Sequence, residues 1–133
     1  MSPKHVLVVD DDPMVLEIVE RALAAADFRV SKARRVAIAK DVLIRQTIDL
    51  IISDARIPGE TGLQLAATAR QLGIAFILMS GDPEWAAAHD VAPEQYLAKP
   101  FELSHLVKLV HASLDRCRST SSGVVTRARS RVR

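Results

Sequence analysis

Two hydrophobic periods alternate along this chain. Short apolar runs end abruptly on a polar residue, and between them apolar residues return every three or four positions, the spacing of one helical face. His5 to Asp10 is a β-branched run and predicts a first strand, after which Asp12-Pro13 supplies a helix cap followed by a proline suited to the first turn. Val15, Ile18, Val19, Ala22 and Leu23 then predict a helix to about Ala26. Phe28 to Ala33 is a weaker, charge-flanked strand expected near a sheet edge. A second helix is expected from about Arg35 to Gln46, carried by Val36, Ala37, Ile38, Val42, Leu43 and Ile44. Leu50-Ile51-Ile52 is the most strongly apolar strand and predicts burial on both faces.

Pro58, Gly59 and Gly62 forbid immediate helix formation after Asp54, so Ala55 to Gly62 is read as a loop. Leu63, Ala66, Ala69 and Leu72 predict a third helix, with Gly73 as its C-terminal cap. Ala75 to Met79 is a fourth strand. Asp82-Pro83 repeats the cap-plus-proline signal, but Pro93 limits the helix that follows to about two turns. Gln95 to Ala98 is a fifth strand, Lys99-Pro100 a corner, and Leu103, Leu106, Val107, Val110 and Leu114 a last helix. Strict alternation with short connections predicts an α/β fold: a (βα)5 doubly wound, five-stranded parallel sheet with helices on both faces.

Composition narrows the picture. The chain has 133 residues, 49% of them hydrophobic, which suits one domain with one sheet-centred core. No apolar run reaches the length that spans a bilayer, and Met1-Ser2-Pro3-Lys4-His5 leads directly into a strand, so a cytoplasmic protein without membrane partners is expected. The single cysteine, Cys117, rules out an internal disulfide and reads as a structural thiol. His5, His89, His105 and His111 are scattered and read as structural or surface residues. The net charge of +2 hides an asymmetry: residues 1–115 carry 12 basic and 16 acidic side chains, whereas residues 116–133 carry six arginines and no acid. One folded domain over 1–117 and a basic, disordered tail over 118–133, with Ser119 to Gly123 as linker, are expected.

Chemistry concentrates at the strand ends. Asp10 and Asp11 close the first strand, Asp54 the third, Ser80 the fourth and Lys99 the fifth, and parallel pairing brings these ends to one edge, where such folds bind ligands. Singly, each has an ordinary role: Asp11 and Asp12 as helix caps, Ser80 as a turn former, Lys99 as a solvated amine. Together they describe an anion-binding acidic pocket. Two carboxylates about 4 Å apart repel by roughly 4 kcal/mol at an effective dielectric of 20, which calls for a counterion. Hard oxygen donors without soft ligands favour Mg2+. Metal and lysine around one carboxylate form a site for an acyl phosphate, with Asp54 as nucleophile.

At this point the chain resembles the receiver domain of two-component response regulators over about residues 4–117. The resemblance rests on Val8-Val9-Asp10-Asp11-Asp12-Pro13, on Asp49-Leu50-Ile51-Ile52-Ser53-Asp54 with Pro58 and Gly62, on Ile77-Leu78-Met79-Ser80-Gly81, and on Tyr96-Leu97-Ala98-Lys99-Pro100-Phe101. It implies a flavodoxin-like sheet of strand order 2-1-3-4-5 and a stand-alone, chemotaxis-regulator-like module. Asp54 would accept phosphate from a sensor histidine kinase or a histidine phosphotransfer protein. Asp11, Asp54 and the backbone carbonyl of Arg56 would ligate Mg2+, Asp10 would act largely through water, and Lys99 would bind the phosphoryl group, with Lys99-Pro100 in cis. Ser80 and Tyr96 would be the switch pair, and the fourth helix, fifth strand and fifth helix would form the output face for a downstream protein.

Two positions depart from that pattern. Only 18 residues separate Ser80 from Lys99, so the fourth helix should be short, and Arg56, two residues after the acceptor, is a large cation able to overhang a phosphate. A phosphorelay role, passing phosphate on to another protein's histidine, is an equal expectation to a simple switch. A Mg-dependent phosphohydrolase would need a second carboxylate at position 56 and is disfavoured. The arginines of the tail could bind nucleic acid only nonspecifically, so DNA binding is not expected.

Overall fold

The computed structural model describes the backbone of residues 3–124 and side chains through residue 117. Five parallel strands, β1 (His5–Val9), β2 (Arg29–Ala33), β3 (Leu50–Asp54), β4 (Ala75–Ser80) and β5 (Tyr96–Ala98), form one sheet in the order β2-β1-β3-β4-β5. The helices are α1 (Pro13–Ala25), α2 (Val36–Arg45), α3 (Leu63–Leu72), α4 (Pro83–Ala88) and α5 (Leu103–Val124). The predicted (βα)5 architecture and strand order are the ones observed.

The strands read as continuous apolar runs because both sheet faces are covered. On one face Val6, Val8, Leu50, Ile52, Ile77 and Leu97 pack against Leu16, Val19 and Leu23 of α1 and Leu106 and Val110 of α5. On the other, Leu7, Val9, Ile51, Phe76 and Leu78 pack against Val36 and Ala39 of α2 and Leu65 and Ala69 of α3. β2 is an edge strand with exposed positions, as its charged flanks predict. Gly73 caps α3 in the left-handed region at φ 70°, where a glycine escapes the Cβ penalty.

Several helix faces are rotated from the expected ones. Ile18 is 46% exposed and Leu16 takes its place in the core; Ile44 is 83% exposed; Leu72 faces outward while Leu65 is buried. These helices carry apolar residues on more than one side, and the sheet selects the side that fits. The loop after Asp54 contains a small antiparallel ribbon, Arg56–Ile57 with Glu60–Thr61, around a Pro58-Gly59 turn. Pairs this short leave no alternation to read in a sequence.

α4 is short, as expected, and a turn of 3-10 helix at Pro93–Gln95 completes the connection to β5. Trp85 is half-buried against the α2/α3 side of the core. The backbone of α5 continues to Val124, through the Ser119 to Gly123 stretch whose composition suggests a linker. The rest of the tail, 125–133, lies outside the described residues.

Candidate functional site

Strand register brings the polar ends together. Val9 of β1 is level with Ser53 of β3, and Asp54 with Met79 of β4, so the residues that follow each strand surround one pocket at the carboxyl edge. Asp10 is 1% exposed. Its Oδ1 accepts the Asp12 backbone N–H at 2.9 Å, which turns the chain sharply into α1. Asp12 caps that helix by accepting from Met14 N–H at 2.9 Å, and Asp11 is left at the pocket.

Asp10, Asp11 and Asp54 each offer a carboxylate oxygen, and the three atoms lie within 4.8 Å of one another. Lys99 is the cation among them. Its Nζ donates to Asp10 Oδ2 at 2.9 Å and sits 3.5 Å from Asp54 Oδ1. Burial works against the Lys99 charge, but the hydrogen bond and charge of Asp10, then the charge of Asp54, outweigh it and hold the ammonium's pKa above its ordinary value. Burial, and then the neighbouring Asp10 charge, push the Asp54 carboxyl up from the usual range; Lys99 and the Arg56 backbone N–H oppose them. Three carboxylates against one ammonium leave a formal charge of −2. An all-oxygen donor set of that charge fits a hard divalent cation.

The loop after β3 is built tightly against the acceptor. Ser53 Oγ donates to the Asp54 carbonyl at 2.9 Å, and a Cβ on Gly62 would collide with that same carbonyl oxygen. Glycine at the start of α3 therefore permits the close approach that sets the height of Asp54.

Ser80 and Tyr96 stand beside this cluster rather than within it. Ser80 Oγ accepts the Asp82 backbone N–H at 2.9 Å. The Tyr96 hydroxyl donates to the Ser80 carbonyl at 2.8 Å, and the Lys99 backbone N–H donates to the same carbonyl at 2.9 Å. The Lys99-Pro100 peptide is cis, as the resemblance implies. Serine, tyrosine and lysine thus meet at one carbonyl, which links the end of β4 to β5.

Two arginine contacts carry no signal in the sequence. Arg34 donates from Nη2 to the Asp11 backbone carbonyl at 3.0 Å, tying the β2–α2 loop to the acidic loop. Arg56 Nη2 lies 3.3 Å from Asp82 Oδ2, bridging the loops after β3 and β4. Both depend on loops brought together by the sheet, so no local pattern announces them. His5 is buried, its Nε2 paired with Ser31 Oγ at 2.8 Å, and Cys117 is half-buried with Sγ 3.4 Å from the Gly73 carbonyl.

Residues 6–111 match the family described as the response regulator receiver domain. Protein PetR of Rhodobacter capsulatus is 31% identical over 119 residues, covering 86% of this chain and 50% of PetR. Response regulator protein PilR of Pseudomonas aeruginosa is 32% identical over 119 residues, covering 86% of this chain and 27% of PilR. The chain therefore spans half or less of the length of these curated relatives. The crystal structure of the signal receiver domain of an HD domain-containing protein from Pseudomonas fluorescens Pf-5 superposes with a TM-score of 0.80 at 25% identity, covering 92% of this chain and 94% of that one.

Proposed function

The chain belongs to the response regulator receiver family, and from that premise we propose that Asp54 takes a phosphoryl group from a phosphohistidine donor and that the resulting charge switches a protein contact. The observation that carries this reading is the Lys99 ammonium between the buried Asp10 carboxylate and Asp54. An Asp54 oxygen attacks phosphorus, the new O–P bond forms as the P–N bond breaks, and the bonding pair leaves on the donor imidazole. Lys99 needs only a short movement to meet a phosphoryl oxygen. Asp11, Asp54 and the Arg56 carbonyl are assigned as direct holders of Mg2+, with Asp10 acting through water. When bound, the ion supplies positive charge to the carboxylates and the transferring group. The chain assists its own phosphorylation and dephosphorylation rather than turning over a separate substrate.

The donor is a sensor histidine kinase or a histidine phosphotransfer protein. An apolar groove of about 460 Å3, lined by Val15, Ile18, Val19, Pro100, Phe101 and Leu103, opens beside Lys99, and Ile18 and Leu103 are exposed in its lining. An apolar patch next to a charged site marks a protein contact, and we assign this one to the donor. The Ser80 hydroxyl and Tyr96 ring relay the change to the face formed by α4, β5 and α5, where a downstream protein binds. Because α4 has six residues, that face leans on β5 and α5. Among the described residues no helix is long and apolar enough to cross a membrane.

The test is transfer of radiolabelled phosphoryl from a phosphohistidine protein to this chain, with and without a chelator. Label arriving only with Mg2+ supports the reading; transfer that ignores the chelator contradicts its metal step. Onward transfer to a second histidine protein would identify a relay.

A further inference from the structure

Asp82 is a junction with three arms. Its Oδ1 accepts the Trp85 N–H at 3.0 Å and so caps α4. Its Oδ2 meets Arg56 Nη2 at 3.3 Å, and its own N–H donates to Ser80 Oγ at 2.9 Å. Two of these partners lie around the acceptor: Arg56 follows it in the loop after its own strand β3, and Ser80 ends the neighbouring strand β4. The third is the first turn of α4.

We propose that the Arg56 side chain is a second phosphoryl-binding cation, held in reserve by Asp82, and that its transfer to a phosphoryl group on Asp54 loosens α4. The proposal rests on the phosphoacceptor reading above. Reach favours it: Arg56 stands two residues after Asp54 at the start of the same loop, so a phosphoryl group on Asp54 would lie within about one side-chain length of the Arg56 Cα. Energetics favour it too. The side chains of Arg56 and Asp82 are 70% and 46% exposed, and an ion pair so open to water holds weakly. A phosphoryl group offers roughly −1.5 to −2 charges and three acceptor oxygens to the same guanidinium, in the bidentate geometry that arginine prefers.

The Ser80 hydroxyl is drawn the same way, which would remove a second arm of the junction. Asp82 would then keep only its bond to Trp85, and the loop that fixes the start of α4 would lose both anchors. A helix of six residues has little hydrogen bonding of its own to resist this. The short α4 thus becomes the responsive element, moved through loop charges at its entrance.

The full chain reports on this through its one tryptophan, Trp85, which sits in the first turn of α4 and stacks on His89 at 4.2 Å. Wild type, Arg56→Gln and Asp82→Asn are treated with Mg2+ and acetyl phosphate. Phosphoryl uptake is read by intact mass, and Trp85 emission is compared per phosphoryl taken up, after subtracting the effect of Mg2+ alone. Asparagine preserves the cap and removes only the charge. Wild type should show an emission change, and Arg56→Gln a change at least about twofold smaller. Asp82→Asn should already be displaced toward the phosphorylated wild-type spectrum before treatment. A full wild-type change in Arg56→Gln, or phosphorylation of wild type with no emission change, would overturn the latch and leave the acceptor reading intact. No phosphoryl uptake by wild type would overturn both.

Discussion

Replacing the nucleophile should make the metal-free protein more stable. Asp54 has two carboxylate neighbours with oxygens within 4.8 Å and one ammonium at 3.5 Å. At an effective dielectric of 20, each repulsion is roughly 3.5 kcal/mol and the attraction roughly 4.7 kcal/mol. The repulsions exceed the attraction by roughly 2 kcal/mol, and burial disfavours the Asp54 charge further. Asp11 is only partly buried, so solvent screens its share. The net expectation for Asp54→Asn is a gain of about 1–2 kcal/mol, or about 3–8 °C in Tm for a domain of this size.

The pH dependence has a definite sign. Because the folded pKa of Asp54 is raised, the folded state binds the proton more tightly than the unfolded chain between the ordinary carboxylate pKa and the raised one. Wild-type stability therefore falls as pH rises through that window, and the advantage of the asparagine variant develops across it. Thermal unfolding in a chelator, by circular dichroism at pH 7 and near pH 4, measures both effects. An Asp54→Asn protein that melts below wild type at pH 7 without divalent ions would refute the electrostatic account of the pocket.

Gly62→Ala should destabilise the fold by about 1–3 kcal/mol, because the added Cβ collides with the Asp54 carbonyl and lies 2.8 Å from Ser53 Oγ; denaturant midpoints measure it, and an unchanged midpoint would contradict the close approach. Burial, then the Arg29 charge, lower the pKa of His5, against the pull of Asp49. The neutral His5 contribution is fully present above the unfolded pKa and is lost as pH falls through the lowered folded one. His5→Gln should accordingly reduce the acid-side loss of stability that sets in below about pH 6.5, as read by denaturation midpoints against pH; an acid limb identical to wild type would exclude His5 as its source.

The alternation of elements was legible because a doubly covered parallel sheet leaves continuous apolar runs, and helix caps with proline mark where α1 and α4 begin. The acidic pocket was legible because each of its residues ends a strand or follows one within two residues, and parallel topology gathers such ends without further information. Helix orientation was less so. In α1, Ile18 and Leu16 are equally apolar, and only the packed sheet decides that Leu16 is covered. The contacts of Arg34 with the Asp11 carbonyl and of Arg56 with Asp82 were not legible at all. They join loops distant in sequence through exposed, flexible side chains that could equally have faced solvent.

The central claim is that one carboxylate, Asp54, receives the phosphoryl group, and the direct measurement is the intact mass of the chain after treatment with Mg2+ and acetyl phosphate. The account predicts one added phosphoryl group on wild type, none when a chelator is present, and none on Asp54→Asn. The same mass gain in Asp54→Asn would contradict it.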